Sequence, residues 1–289
     1  LQAYIIWAMT EYFRGNYQKT LQICEENDEF ANKLQVRFWS SLKDLLQAMS
    51  YLAIGNLDAS WNFLAQVEDR QKNYPTEKIA MHAWKVKGDF FRMLGERDKA
   101  AQYYRELISD PARNFTTIDS RFTLGTMLLS DGNAEGMVWL MEAIREADEQ
   151  HLAGIALRAR TVKAFSLATS DTLETFELEC RSLMEKIKES GLYVFLSEEM
   201  ISAHSAGLRQ DADRVLSLTL EMLETRHSYN NIWEELYLLN RVLNLNGREN
   251  KDNRKIRERI KELIKQLAAN AMTPVARNAL QKYRKKRGE

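Results

Sequence analysis

The sequence predicts an all-α fold: a solenoid of about seven helical hairpins, closed at its C-terminal end by a capping helix. Three observations predict it. The first is composition: among 289 residues, 45% are apolar, while Gly numbers only 12 and Pro only 3. Leu, Ala, Glu, Lys, Arg, Gln and Met dominate, and all are good helix formers. The second is a turn signal at a nearly fixed interval. Gly15, Gly55, Gly95, Gly132, Asp171, Gln210 and Gly247 stand 40, 40, 37, 39, 39 and 37 residues apart. Five of the seven are glycine, as a left-handed helix-ending position prefers. The third is apolar spacing of three and four residues on both sides of each turn, the mark of amphipathic helices.

Each element follows from the same pattern. Helices precede the turns over Ala3–Arg14, Ser41–Ile54, Ile79–Leu94, Ser120–Ser130, Leu152–Thr169, Ser197–Leu208 and Asn231–Asn246. After the turns, Leu173, Phe176, Cys180, Leu183 and Ile187 share one helix face, as do Ala212, Val215, Leu218 and Met222. Asp171 and Glu174 have the spacing of a capping box. Small residues stand seven positions before six anchors: Ala8, Ala48, Gly88, Gly125, Ala164 and Ala203. Small side chains there let two helices approach closely; Asn240 breaks the rule before the last anchor. Pro75 and Pro111 fall in links, where they break no helix, and Thr273-Pro274 fits the start of a final helix. The hairpins span 1–40, 41–78, 79–115, 116–151, 152–191, 192–229 and 230–270, with the capping helix at 273–286, all in one domain. One hairpin cannot bury its apolar face alone; stacked hairpins can.

This pattern resembles the tetratricopeptide repeat. Tyr4, Trp7, Ala8, Gly15 and Tyr17 match it, as do Trp84, Gly88, Phe91, Gly95, Ala100 and Tyr104. Thr20, Ser60, Met137 and Phe176 depart from it where alanine is usual, and hairpins near 40 residues exceed the usual length of the family. In texture, Trp139–Ala168 is similar to the C-terminal arms of bacterial multidomain signalling proteins such as signal-transduction ATPases and cyclases. The resemblance implies a right-handed superhelix with a concave groove lined by the first helix of each hairpin. The chain begins at Leu1 inside a helical pattern, and we expect it to be part of a larger protein.

Chemistry is sparse. Lys+Arg and Asp+Glu balance at 41 each, which argues against nucleic acid or a membrane surface as partner. No apolar run approaches the length of a membrane span, and no signal peptide is present, so a cytoplasmic location is expected. Cys24 and Cys180 read as buried free thiols. No phosphate-cradling glycine loop, HExxH or CxxC motif occurs, the four histidines His82, His151, His204 and His227 are scattered, and neither catalysis, cofactor nor metal is expected. From 248 to 289 stand 14 Lys and Arg against 5 Asp and Glu, a net of +9. That basic tail reads as a solvated cap, with contact to an acidic domain or to nucleic acid as the alternatives.

Function is therefore sought on the first helices. The groove-facing positions are Met9 and Tyr12; Leu45, Met49 and Leu52; His82, Lys85, Asp89 and Arg92; Phe122; Arg158; His204; and Tyr237 with Arg241. The row is apolar at one end and charged in the middle. It suits a peptide or protein element, or another domain of the same parent chain, held by buried anchors and a few charge-assisted contacts. The expected function is a non-catalytic interaction or sensing arm that regulates a linked effector domain. Two alternatives stand beside it: a small-molecule-sensing regulatory domain, with a closed pocket around His82, Lys85 and Asp89, and the scaffold arm of a multidomain enzyme.

Overall fold

A computed structural model describes residues 2–27, 37–111, 113–192, 194, 196–225, 231–245 and 253–287. Among them are fifteen α-helices and no strand. Six form the first three hairpins: α1 Gln2–Phe13 with α2 Tyr17–Glu26, α3 Arg37–Ala53 with α4 Leu57–Asn73, and α5 Glu77–Met93 with α6 Arg97–Ser109. Next come α7 Phe115–Ser130 with α8 Glu135–Glu149, α9 Ala153–Leu167 with α10 Leu173–Ser190, and α11 Glu198–Leu208 with α12 Ala212–Thr225. Last are α13 Ile232–Leu245, α14 Arg254–Ala269 and α15 Pro274–Arg287. Packing runs mainly between sequence neighbours, as in a helical repeat. The chain forms two compact units, one of residues 1–112, 230–232 and 264–289, the other of residues 113–229 and 233–263.

The turns explain the hairpins. Gly15, Gly55, Gly95 and Gly132 take φ of 78°, 84°, 71° and 73°. At Gly15 the glycine N–H donates to the Tyr12 carbonyl and the Asn16 N–H to that of Glu11. Gly55, Gly95 and Gly132 repeat both bonds. This is the Schellman closure, which satisfies the carbonyls a helix end leaves open. Gln210 closes the sixth hairpin identically, at φ 62°, although a side chain in the left-handed region costs about 1 kcal/mol. His151, at φ 56°, makes the same closure between α8 and α9. Asp171 does not. It lies in a 3-10 turn, Ser170–Thr172, and the capping box there pairs Thr169 with Thr172, not Asp171 with Glu174. The helix α9 ends instead in extended backbone at Ala168. Gly247 and His227 lie outside the described residues.

The small residues before the turns sit where helices cross. Ala8, Ala48 and Ala203 are fully buried. A Cβ on Gly88 would come within 2.6 Å of the Tyr104 ring, and one on Gly125 within 2.8 Å of the Gly136 carbonyl. Cys24 and Cys180 are free and buried. Phe176, at a position where the repeat usually has alanine, is in the core of its unit against Phe165, ring centres 5.1 Å apart. Trp7 and Trp84 are exposed, while Trp39 packs partly buried beside Ile5 and Leu46.

The final helix forms where expected but packs elsewhere than on the last hairpin. Within the first unit, α15 lies against α4. The Asp58 carboxylate accepts the main-chain N–H groups of Met272 (2.5 Å) and Thr273 (2.7 Å), and the Asp58 N–H donates to the Asn270 carbonyl (2.8 Å). An aspartate from the second hairpin thus caps the N-terminus of α15. Lys282 pairs with Glu96 at 2.6 Å, and Tyr283 lies over Gly95. Among the described residues no helix is long and apolar enough to cross a membrane.

Candidate functional site

The groove row divides between the units. In the first unit its apolar part is largely core. Leu45 and Leu52 are buried, and Leu45 packs with Leu64, Val67 and Ile79. They line no open surface, because α3 is covered by helices on more than one side. Met9 and Tyr12 are partly buried against Ile5, Ala8, Ile23 and Cys24, and Met49 packs against the clusters around both Leu45 and Leu46.

The charged part of that row is drawn together on one carboxylate. Lys85 Nζ donates to Asp89 Oδ2 at 2.7 Å, and the Tyr104 hydroxyl donates to Asp89 Oδ1 at 2.8 Å. Arg92 Nε stands 3.7 Å from the same oxygen. Helical spacing brings Lys85, Asp89 and Arg92 to one face; Tyr104 arrives from α6. Burial, and then the charge of Asp89, hold the Tyr104 hydroxyl well above its ordinary value, so it stays a donor. His82, one turn before Lys85, is partly exposed.

In the second unit α7 is enclosed almost all round, and its polar side chains find partners within the protein. Phe122, expected at an open surface, is buried; the Arg158 guanidinium covers its ring at 4.6 Å and lies 3.4 Å from Asp119 Oδ1. Arg121 and Glu146, both buried, form an ion pair at 3.0 Å across α7 and α8. Such a pair holds its site because removing either partner strands the other charge.

His204 of α11 lies between Phe165 and Phe176, with ring centres 4.8 and 5.0 Å away. Its Nε2 is buried and has no hydrogen-bond partner. Burial, then the charge of Arg241, push its pKa down; a hydrogen bond to the Phe165 main chain opposes them. Arg241 itself, on α13, makes no hydrogen bond or ion pair among the described residues. One turn before it, Tyr237 is 52% exposed. An aromatic ring and a cation with no carboxylate partner among the described residues thus lie one helical turn apart, and they can take an apolar anchor and a carboxylate.

The buried partners of this row escaped the sequence. Asp119, at a helical spacing of three from Phe122, was findable. Tyr104 and Glu146 were not, because they reach the row across a hairpin. Among the described residues no group of three His, Cys, Asp or Glu side chains is placed to hold a metal. Neither a family model nor a curated protein matches the chain.

Proposed function

We propose that the chain is a non-catalytic interaction arm of tetratricopeptide-like hairpins that recognises a peptide or protein element along its first helices. The observation that carries this reading is half-exposed Tyr237 one helical turn before Arg241, a cation that makes no hydrogen bond or ion pair among the described residues. Repeated hairpins support it, because they present first helices side by side as a recognition surface. Burial commits Leu45, Leu52 and Phe122 to the core, so the recognising side chains are Tyr237 and Arg241. Capture of the element regulates a linked effector domain only as far as it favours one of its states over the other.

Peptide display on the immobilised chain tests the reading, with Tyr237→Ala and Arg241→Gln variants as counter-screens. Tyr237 is exposed and Arg241 partly so, and circular dichroism checks that the variants keep their helices. Enriched peptides carrying an acidic residue beside an apolar one, bound about tenfold more weakly by either variant, are expected. Enriched peptides that bind both variants as well as the parent would overturn it.

A further inference from the structure

An apolar stripe seats the sixth hairpin on the fifth, and a histidine stands in the middle of it. Ile201, His204 and Leu208 follow one another on α11 at spacings of three and four, on one helix face. Ile201 and Leu208 pack into the core of the fifth hairpin, with Phe176, Cys180 and Leu183. His204 enters the same seam between Phe165 of α9 and Phe176 of α10. An aliphatic side chain would fill this place and leave no polar atom behind. The histidine leaves its buried Nε2 without a hydrogen-bond partner. Among the described residues the ring has one hydrogen bond, to the Phe165 main chain, and no carboxylate stands against it.

The repeat brings a cation to this ring. Phe165, His204 and Arg241 stand 39 and 37 residues apart, the intervals of Asp171, Gln210 and Gly247, so they hold one register on three successive first helices. Positions in that register meet: Met9 and Met49 pack against one cluster, and His204 meets Phe165. Arg241 is next in the column, and its charge acts on the His204 ring. Other groups on the surrounding helices do not offset it. Glu177 of α10 lies beside Arg181 and Arg209, and Arg158 of α9 beside Asp119. Burial pushes the Cys180 thiol of α10 up to about 12, so it stays neutral. No charge of α12 acts on the ring among the described residues. A proton arriving at Nε2 therefore meets an apolar slot, no acceptor and a like charge.

We propose that His204 is an acid-operated latch: neutral, its ring seats the sixth hairpin against the fifth; protonated, it leaves the slot between Phe165 and Phe176 and the seam opens. Only a proton is exchanged, from solvent to Nε2, and water then accepts from the new N–H. The polar ties across the same seam are too weak to hold it: the Ser170 hydroxyl donates to the Leu208 carbonyl at 3.0 Å, and Arg209 stands 3.8 Å from Glu177. Opening bares the Phe165 and Phe176 rings. The sign is fixed by the direction of the shift. The seated ring has a pKa below 6.5, and a released ring has about the ordinary value. The seam is fully held above about pH 7 and weakens as pH falls through 6.5, by at most about tenfold in opening per pH unit for one proton.

Hydrogen exchange of the 289-residue chain between about pH 5 and pH 8, corrected for the intrinsic exchange rate, tests this. Protection of the α11 amides should be flat above about pH 7 and fall below it, up to tenfold per unit. In His204→Leu, which completes the apolar stripe, it should stay flat. In parallel, an NMR titration of the His204 Cε1 proton should give a midpoint below 6.5 that rises in Arg241→Gln. A parent chain whose α11 protection does not change with pH overturns the proposal, as does an equal acid loss in His204→Leu, which would place the titrating group elsewhere. A His204 midpoint at or above 6.5, or one that Arg241→Gln leaves in place, overturns it as well. If circular dichroism shows that His204→Leu has lost its helices, the midpoints of the parent and Arg241→Gln decide.

Discussion

Replacing Asp58 by alanine should release the last helix while leaving the hairpins folded. The Asp58 carboxylate accepts two main-chain N–H groups, from Met272 and Thr273, at the N-terminus of α15. A hydrogen bond to a charged group contributes about 1.5–3 kcal/mol when nothing replaces it. Both of these reach toward solvent, so water recovers part of the loss, and helix capping alone is worth about 1 kcal/mol. The expected cost is about 2 kcal/mol, a roughly 30-fold rise in local opening. Hydrogen exchange by mass spectrometry reads it directly: amides within α15 should exchange about 30-fold faster, and those of α8 and α9 at their former rates. Asp58→Asn, which keeps one acceptor, should fall between. Unchanged exchange in α15 of a well-folded Asp58→Ala variant would refute the assignment. The pH dependence has a definite sign. Burial alone would raise the Asp58 pKa, but the two main-chain N–H groups outweigh it and the net shift is downward from 3.8. Its contribution is therefore complete above about pH 4 and is lost as pH falls through the lowered folded value. Protection of α15 should drop in that acid range and stay flat in Asp58→Asn.

Gln210→Gly should stabilise the second unit by about 0.5–1 kcal/mol, because Gln210 bears left-handed strain that glycine does not; an unchanged denaturation midpoint would argue against it. Gly132→Ala should cost about 1 kcal/mol from strain alone, since its new Cβ meets nothing within 4 Å. Gly88→Ala should destabilise the first unit by about 1–3 kcal/mol in thermal unfolding. Its Cβ would come within 2.6 Å of a buried ring pinned by Asp89. Cys24 and Cys180, each pushed by burial up to about 12, should resist a thiol reagent at pH 8 until denaturant is added.

Helices and turns were legible because the signals are local. A glycine at φ near 78° and an apolar stripe are each written within a few residues. Gln210 was legible only through the interval, since nothing in glutamine itself signals a left-handed residue. The same interval misplaced Asp171, where Thr169 and Thr172 turn the chain by other means. Burial was less readable. The pattern shows that Leu45, Leu52 and Phe122 are apolar, but not how many neighbours cover their helices. Lys85, Asp89 and Arg92 share one face through local helical spacing, while Tyr104, which reaches it through Asp89, comes from another helix. Least legible was the docking of α15, because Asp58 and Met272 are separated by 214 positions and no periodicity links them.

That last contact bears on how the protein is made. A repeat whose hairpins touch only their neighbours can fold progressively as it leaves the ribosome. Here the first unit includes residues 264–289. Its first three hairpins emerge early, yet Asp58, Gly55 and Glu96 wait for partners that follow much later in the chain, Met272 by 214 positions. Closing so long a loop is entropically costly and slow. Chains truncated before Leu267 should hold the first three hairpins in a looser, protease-sensitive state. Synthesis of residues 264–289 is then the step that locks the first three hairpins.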